Sequence, residues 1–313
     1  PYLDSLDKEA IKGKTILRNR IDNFENFYLN SQFGVEDPVI LDSDRQFLAI
    51  IGTPFYKNKH LTDIEDLPLL ERILSNSIQE IDSCFLIISY NKSEKQLTLY
   101  TDRFGTYVVF FLALNNFVAF STCIDSLYSL LRWYKKPELN NDSIFEFLWF
   151  RRLFGDKTYI KDIQTLPPAS LCSFQFGKCF QFKNYWSPKP SQSQIHRNSN
   201  EWAESIESSI VHATRLSISS DNRHALMLSG GLDSRALLSV GREKYLSLTN
   251  SPSKNQEYLV AKQLAEIVGS KHLHIPRPVN YVDEIFEDAI SHSNGMTLYY
   301  ESQFLGYKKL LAE

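Results

Sequence analysis

The sequence predicts two domains, an antiparallel α+β domain followed by an α/β domain built on a parallel sheet. A chain of 313 residues is long enough for about two domains. In the first part, short apolar runs are separated by hairpin turns, and the whole chain has 16 Tyr and 21 Phe residues, which favour a β-rich part. After residue 200, strand patterns alternate with helix patterns, which is typical of a parallel sheet with right-handed crossovers. The predicted boundaries are a first domain at 1–186, a linker at 187–200 and a second domain at 201–313.

The apolar pattern predicts the elements of the first domain from residue 46 onward, whereas residues 1–46 show no clear period. Phe47–Gly52 is predicted as a buried strand, and a helix with Leu69, Leu70, Ile73, Leu74 and Ile78 on one face follows it. The helix predicted at 142–150 has Asp142 or Ser143 as its N-cap. The remaining predictions are a helix at 124–134 and strands at 84–90, 97–101, 107–113, 117–122, 169–176 and 180–182.

The second domain follows a Pro/Ser-rich stretch at 187–194, which is typical of a linker. A helix with Trp202, Ile206, Ile210 and Ala213 on one face comes first. Gly269 is predicted to end a later helix, because glycine readily takes the left-handed conformation found there. The predicted strands lie around Leu226, at 245–248 and at 272–275, and the predicted later helices lie at 257–268, 283–291 and 299–311.

The stretch Ser229–Ser234, which reads Ser-Gly-Gly-Leu-Asp-Ser, carries the strongest functional signal. An apolar strand leads into it, a helix leads out, and two glycines allow a sharp turn with outward-facing backbone N–H groups. The positive end of the helix attracts anions, and the Ser229 and Ser234 hydroxyls add donors. Because a carboxylate repels an anion, Asp233 indicates a divalent cation between itself and a phosphate. The alternative interpretation is an ordinary Ser/Gly turn that caps a helix.

Composition and motifs argue against several other functions. The net charge of −3 gives no sign of a nucleic-acid-binding protein, and the sequence contains neither G-x-x-x-x-G-K-[ST] nor G-x-G-x-x-G. The seven histidines have no metal-ligand spacing, and the absence of a signal peptide or membrane-length apolar run predicts a soluble cytoplasmic protein. The cysteines form no C-x-x-C pair and are predicted to be buried thiols: Cys84, Cys123, Cys172 and Cys179.

The loop resembles the PP-loop of ATP pyrophosphatases, whose pattern is S-G-G-x-D-S, and further motifs resemble asparagine synthetases. Thr101–Gly105, followed by Val109-Phe110-Phe111, resembles the D-R-x-G segment of that family, and Phe120–Leu127 resembles the segment after it. Leu166–Ala169 and Tyr185-Trp186 resemble the L-x-P-G and Y-W landmarks. The match runs from about residue 46 to the C-terminus. It implies an Ntn-hydrolase-like antiparallel sandwich, then a Rossmann-like PP-loop domain of the adenine nucleotide α-hydrolase type.

The resemblance also implies which residues bind ATP and Mg²⁺. Asp233 is expected to be a catalytic residue that binds Mg²⁺, and backbone groups of Leu228 and Leu248, predicted to lie at strand ends, are expected to contact adenosine. Asp102-Arg103 and Tyr185-Trp186 are expected to be structural, and His272 and His274 are expected to be packed side chains. The residues expected to bind ATP and pyrophosphate are Leu228, Ser229, Gly230, Gly231, Asp233, Ser234 and Leu248.

The first domain departs from the family at the glutaminase site. The family's glutaminase begins with a nucleophilic Cys, and this chain begins with Pro1. Where the family has its N-G-E turn, this chain has Ile51-Gly52-Thr53. We therefore predict a domain that keeps the fold and has no glutaminase nucleophile, as in β-lactam synthetases and lasso-peptide cyclases. The family's second acidic segment and its catalytic Lys are expected beyond Glu313, so the synthetase domain is expected to be truncated at its C-terminus.

Three functions stay open at this point. The first is an ATP-dependent ligase that adenylates a small-molecule or peptide carboxylate, releases pyrophosphate and uses ammonia or a substrate amine. The second is an ordinary glutamine-hydrolysing asparagine synthase that has lost its N-terminal Cys through truncation. The third is a non-catalytic homologue that binds a nucleotide or a partner. Neither nucleic acid nor membrane is expected as a partner, and a homodimer is left open.

Overall fold

The computed structural model describes residues 16–21, 24–30, 38–57, 59–61, 64–114, 117–175, 180–189, 197–218, 224–298, 302 and 305. They divide into two compact units, one that reaches Pro188 and includes Ile290–Leu298, and one that extends from Lys189 to Ala289. The strands of the first unit are β1 (Ile16–Ile21), β2 (Phe24–Asn30), β3 (Val39–Asp42), β4 (Gln46–Gly52), β5 (Phe55–Tyr56), β6 (Lys59–His60), β7 (Phe85–Asn91), β8 (Gln96–Thr101), β9 (Phe110–Leu114), β10 (Phe117–Ser121), β11 (Ile163–Thr165), β12 (Ser170–Gln175) and β13 (Gln181–Asn184). Its helices are α1 (Leu67–Asn76), α2 (Ile124–Tyr134) and α3 (Asn141–Phe150).

Two antiparallel sheets form the centre of the first unit. Six strands pair in the order β13-β12-β8-β7-β4-β3, and three pair in the order β10-β9-β11. Side chains alternate along β4, so Leu48 and Ile50 pack with α1 while Phe47 and Ala49 pack with Phe111 of β9. On the far side of β9, α2 packs against the second sheet. The layers therefore run helix, sheet, sheet, helix, and the predicted antiparallel character of this part is confirmed.

The corner after β8 is tied together by a buried carboxylate. Asp102 is 1% exposed and accepts backbone N–H groups from Phe85 (3.2 Å), Phe104 (2.8 Å) and Thr106 (3.1 Å). Arg103 pairs with Asp82 rather than with Asp102. Both residues therefore have the structural role that the sequence predicted, although they do not pair with each other.

The dipeptide Tyr185-Trp186 packs on the same corner. The Tyr185 hydroxyl donates to the Thr101 carbonyl at 2.8 Å. The Trp186 ring lies 5.7 Å from the Arg103 guanidinium and meets the Phe104 ring edge-on at 5.8 Å. This dipeptide therefore anchors the end of the first unit by packing, as the sequence predicted.

The second unit contains a parallel sheet whose strands pair in the order β14 (His224–Met227), β15 (Tyr245–Ser251) and β16 (Lys271–Pro276). Leu228, Leu238, Ala261 and Ala265 form the centre of its apolar cluster. Gly269 ends the second crossover helix with φ of +75°, as predicted. The parallel sheet is therefore confirmed. The elements of this unit are α4 (Ser199–Ser217), β14 (His224–Met227), α5 (Leu232–Gly241), β15 (Tyr245–Ser251), α6 (Gln256–Val268) and β16 (Lys271–Pro276), followed by α7 (Tyr281–Ser293), which ends in the first unit.

Several local predictions need correction. The N-cap of α3 is Asn140, whose side-chain oxygen accepts the Ser143 N–H at 3.3 Å, and not Asp142 or Ser143. Cys84 is exposed, because β7 begins one residue later, whereas Cys172 is buried and Cys123 is half-buried. Cys179 and the helix predicted at 299–311 lie outside the described residues. Within those residues, no helix is long and apolar enough to cross a bilayer.

Candidate functional site

The Ser229–Ser234 loop joins the end of β14 to the start of α5. Leu228 is buried, and its N–H donates to the Leu248 carbonyl at 2.7 Å, which fixes the start of the loop to the neighbouring strand. Gly230 has φ of +77°, and a Cβ atom there would lie 2.9 Å from Cγ1 of Val260 on α6. Glycine is required at this position for two reasons, the left-handed backbone and the close approach of α6.

The hydroxyl groups of Ser229 and Ser234 lie close together at the turn. The Gly231 N–H donates to Ser229 Oγ at 3.2 Å, and Ser229 Oγ lies 3.4 Å from Ser234 Oγ. The Arg235 guanidinium donates to the Gly230 carbonyl at 2.8 Å. Arg235 was not among the residues predicted from the sequence. Its cationic side chain two positions after Asp233 was a signal, but only the folded loop shows the carbonyl that it holds.

Among the described residues, no side chain caps the N-terminus of α5 by accepting a hydrogen bond from its first backbone N–H groups. Gly231 occupies the N-cap position in an extended conformation, and no side chain accepts a hydrogen bond there. The N–H groups of an uncapped first turn, together with the helix dipole, favour an anion. Leu232 and Asp233 are exposed beside it. The loop thus brings hydroxyl and N–H donors into one solvent-accessible turn.

The residues around this turn fit a magnesium–phosphate group. Within the described ranges, no cluster of three or more His, Cys, Asp or Glu side chains is arranged to hold a metal ion. Mg²⁺ needs no such cluster, because it commonly binds one or two carboxylates together with substrate phosphates and water. Asp233, exposed in the first turn of α5, has the carboxylate chemistry for this role.

Leu228 and Leu248, the two residues expected to contact adenosine, lie on neighbouring strands. The Leu228 carbonyl accepts the Thr249 hydroxyl at 2.6 Å, so both of its backbone groups are already bonded within the unit. Leu248 does not end its strand, because β15 continues to Ser251. The assignment of both residues to adenosine stays a prediction.

His272 lies behind the loop in a short hydrogen-bonded chain. Its Nε2 is 2.9 Å from Thr249 Oγ1, and Thr249 gives its only hydroxyl proton to the Leu228 carbonyl. His272 must therefore donate from Nε2 to Thr249. Burial, together with nearby His274, lowers the pKa of His272. The ring is thus held as a neutral donor that supports the loop indirectly.

His274 forms a second arrangement of the same kind. Its Nε2 lies 3.0 Å from Ser251 Oγ, which gives its own proton to the Ser253 carbonyl at 2.8 Å. The Tyr258 ring of α6 lies 5.4 Å from the His272 ring and 4.9 Å from the His274 ring. The side chains of both histidines, which belong to β16, are therefore packed against β15 and α6.

The turn after β4 in the first unit is closely packed. Gly52 has φ of +87°, and a Cβ atom there would lie 2.3 Å from the Cys84 carbonyl and 2.8 Å from the Tyr107 ring. The Thr53 N–H donates to the Cys84 carbonyl at 3.1 Å, and the Thr53 hydroxyl lies 3.3 Å from Ser83 Oγ. Thr53 is therefore bonded to the segment that precedes β7.

Comparisons with known proteins match both parts of the chain. Residues 62–186 match the glutamine amidotransferase domain family, and residues 205–309 match the asparagine synthase family. Asparagine synthetase [glutamine-hydrolyzing] 1 of Bacillus subtilis (strain 168) is 22% identical over 228 residues, which are 69% of this chain and 35% of that protein. The chain belongs to the asparagine synthetase family. It spans about a third of the length of this family member.

A weaker likeness was found among solved structures. Glutamine phosphoribosylpyrophosphate (PRPP) amidotransferase from B. subtilis, complexed with ADP and GMP, aligns with a TM-score of 0.31 and 8% identity. The alignment covers 75% of this asparagine synthetase homologue and 47% of the solved chain.

Proposed function

We propose that this asparagine synthetase homologue is part of an ATP-dependent ligase that forms an amide bond after adenylating a carboxylate. In the first step a carboxylate oxygen attacks the α-phosphorus of ATP, and the bond to the β-phosphate bridging oxygen breaks, so that pyrophosphate leaves. In the second step an amine nitrogen attacks the acyl carbon, loses a proton and displaces AMP.

The proposed domains are residues 1–186, an Ntn-hydrolase-like domain, and residues 201–313, joined by a linker at 187–200.

The observation that carries this proposal is the uncapped start of α5 directly after the Ser/Gly turn. Nucleotides bind at the carboxyl ends of the strands in open α/β sheets, which is where this turn lies. The N–H groups of the turn and the hydroxyls of Ser229 and Ser234 would bind the β- and γ-phosphates. Asp233 would hold Mg²⁺, which neutralises phosphate charge when bound. Catalysis would then consist of positioning and charge stabilisation.

The proposed nitrogen source is ammonia or a substrate amine. By resemblance, Ile51 and Thr53 stand where the family's turn has Asn and Glu, so the chain would lack the side chains that recognise glutamine. The Thr53 hydroxyl is near Ser83, and the Tyr107 ring lies against Gly52, which is consistent with a turn used for packing. An ordinary glutamine-hydrolysing enzyme is the alternative, and the matched glutamine amidotransferase domain is the observation in its favour.

Pyrophosphate release tests the role of Asp233. The full-length protein would be given ATP, Mg²⁺, ammonia and a panel of carboxylates that begins with aspartate. Asp233→Asn is expected to lower the release rate by about 100-fold or more, because charge stabilisation of the transition state is lost. Glu243→Gln, in the turn after α5, serves as a control for a general change of charge. Pyrophosphate release by Asp233→Asn at the parent rate would show that the assigned magnesium role is wrong.

The nitrogen source is tested separately with the unaltered protein. Aspartate is offered with glutamine in one assay and with ammonia in another, and glutamate and asparagine are quantified. Glutamate formation from glutamine would establish the alternative, an ordinary glutamine-hydrolysing enzyme. Pyrophosphate released with ammonia, without glutamate from glutamine, is the expected result.

A further inference from the structure

A buried side-chain amide near the end of β15 has no hydrogen-bond partner. Asn250 is the sixth residue of β15, and neither its side-chain oxygen nor its side-chain nitrogen is exposed or hydrogen-bonded. Buried polar atoms without partners are rare and costly, and each one needs an explanation. An amide presents one acceptor and two donors, so Asn250 has unused capacity of both kinds.

The position of Asn250 relates it to the phosphate-binding loop. Thr249 and Ser251 contact His272 and His274, whose rings pack with Tyr258 on α6. Because side chains alternate along a strand, Asn250 lies on the opposite face of the sheet, together with Leu248. β14, which leads into the loop, pairs directly with β15. Adjacent strands are about 4.8 Å apart, so a single extended ligand can reach both places.

The packing around the neighbouring residues does not use this amide. On β15, the hydroxyls of Ser247, Thr249 and Ser251 all have partners: Ser270, the Leu228 carbonyl and the Ser253 carbonyl, respectively. Across the ladder, Asn250 is opposite the apolar Ile275. The strand thus satisfies its polar groups on the α6 face and leaves Asn250 unsatisfied on the other.

We propose that the Asn250 amide binds the adenine edge of ATP and makes the site selective for a 6-aminopurine. The geometry of a primary amide matches adenine, because its oxygen accepts from the N6 amino group while its nitrogen donates to N7. This inference rests on the proposed function of the Ser229–Ser234 loop as the site for the phosphates. The loop supplies affinity for the triphosphate, and Asn250 supplies the choice of base.

Calorimetric titration with three nucleotides tests the proposal. The magnesium complexes of ATP, GTP and purine riboside 5′-triphosphate, which lacks the 6-amino group, are titrated into the protein. The unaltered protein is expected to bind ATP about tenfold or more tightly than the other two, the size of effect that a bidentate contact gives. Asn250→Leu, similar in size, is expected to bind all three within about twofold of one another. Asn200→Leu, at an exposed asparagine on α4, should retain the selectivity.

Folding of the variants is checked by their melting temperatures. Replacing an amide that lacks partners should not lower the melting temperature of Asn250→Leu. Asn250→Asp keeps the size and the oxygen that accepts from N6 but loses the N–H donor to N7, which all three purines share. It should therefore bind all three nucleotides more weakly and still prefer ATP. Equal binding of the three nucleotides by the unaltered protein, or full selectivity in Asn250→Leu, would overturn the proposed role of Asn250. Neither result would contradict the proposed role of the loop in binding phosphates. No binding of any triphosphate by the unaltered protein would overturn both.

Discussion

At the scale of single residues, burial makes the thiols of Cys84 and Cys172 differ in their expected reactivity. Cys84 is exposed, whereas burial raises the pKa of the Cys172 thiol to about 12. Because the thiolate is the reactive form, Cys172 is expected to remain unmodified near neutral pH in the folded protein. Mass spectrometry of peptides after brief treatment with iodoacetamide should find label on Cys84 and none on Cys172. Cys84→Ser should remove that label, and labelled Cys172 in folded protein would contradict the prediction.

The protonation of His272 makes stability depend on pH in a defined direction. Its lowered pKa means that, below the ordinary value of about 6.5, the unfolded chain binds a proton more readily than the folded chain. Stability from this group is therefore lost as the pH falls from about 6.5 toward the lowered value. His274 and Lys262 oppose its protonation, and Glu266 favours it.

His272→Gln tests this dependence, because glutamine keeps an N–H donor for Thr249 without titrating. The free energy of unfolding, measured in urea between pH 7.5 and 5.5, is expected to fall less steeply in this variant than in the parent protein. His212→Gln, at an exposed position on α4, is the matched control and should follow the parent. Parallel pH profiles for the parent protein and His272→Gln would rule out the role of His272.

Some residues of the candidate site could be proposed from sequence and others could not. The six loop residues from Ser229 to Ser234 are adjacent in the chain, so their pattern alone was enough to propose them as a site. Arg235, Thr249 and Asn250 were missed, because their significance depends on which carbonyl they reach or which partner they lack. A single sequence shows residue types in order, but it does not show hydrogen bonds across strands.

At the scale of secondary-structure elements, two glycines with similar backbone conformations allow a matched comparison. Gly230 and Gly269 have φ of +77° and +75°, but a Cβ atom meets Val260 only at Gly230 and has open space at Gly269. Gly269→Ala is expected to cost about 1 kcal/mol through backbone strain alone. Gly230→Ala should cost about 1–3 kcal/mol more because of crowding.

Urea unfolding and ATP titration of both glycine variants measure the comparison. Gly269→Ala should bind ATP as the parent does, since Gly269 lies at the far end of α6. Gly230→Ala should lose binding, because its loop must shift away from Val260. Equal loss of stability with unchanged ATP binding in both variants would show that the contact with α6 does not fix the loop.

The observed boundaries of several elements agree with those predicted from the periodicity of apolar residues. The hairpin of β7 and β8, the helix α2 and the three parallel strands lie close to their predicted positions. The pattern on α4 predicted an apolar face, yet Trp202 is 39% exposed and Ile206 53% exposed. Periodicity identifies the apolar side of a helix, but it does not identify what packs against that side.

At the scale of the whole molecule, each unit has its own apolar clusters. A ligand that binds only the folded form stabilises the unit that contains its site, by about 2.7 kcal/mol at a concentration 100 times the Kd. Mg²⁺-ATP is therefore expected to slow hydrogen exchange in peptides of 224–276 and to leave peptides of 85–101 unchanged. Asp233→Asn should show a smaller effect. Equal protection of both peptide groups would contradict a site confined to the second unit.

The carboxylate of Asp102 also bears on the order in which the first unit folds. All the N–H groups that it collects lie between residues 85 and 106, and the longest of these contacts spans 17 residues. The β7–β8 hairpin and the corner behind it can therefore close as a local nucleus, because short loops cost little entropy. β12 and β13 belong to much later parts of the chain, and we expect them to add to this nucleus during its maturation on the folding pathway.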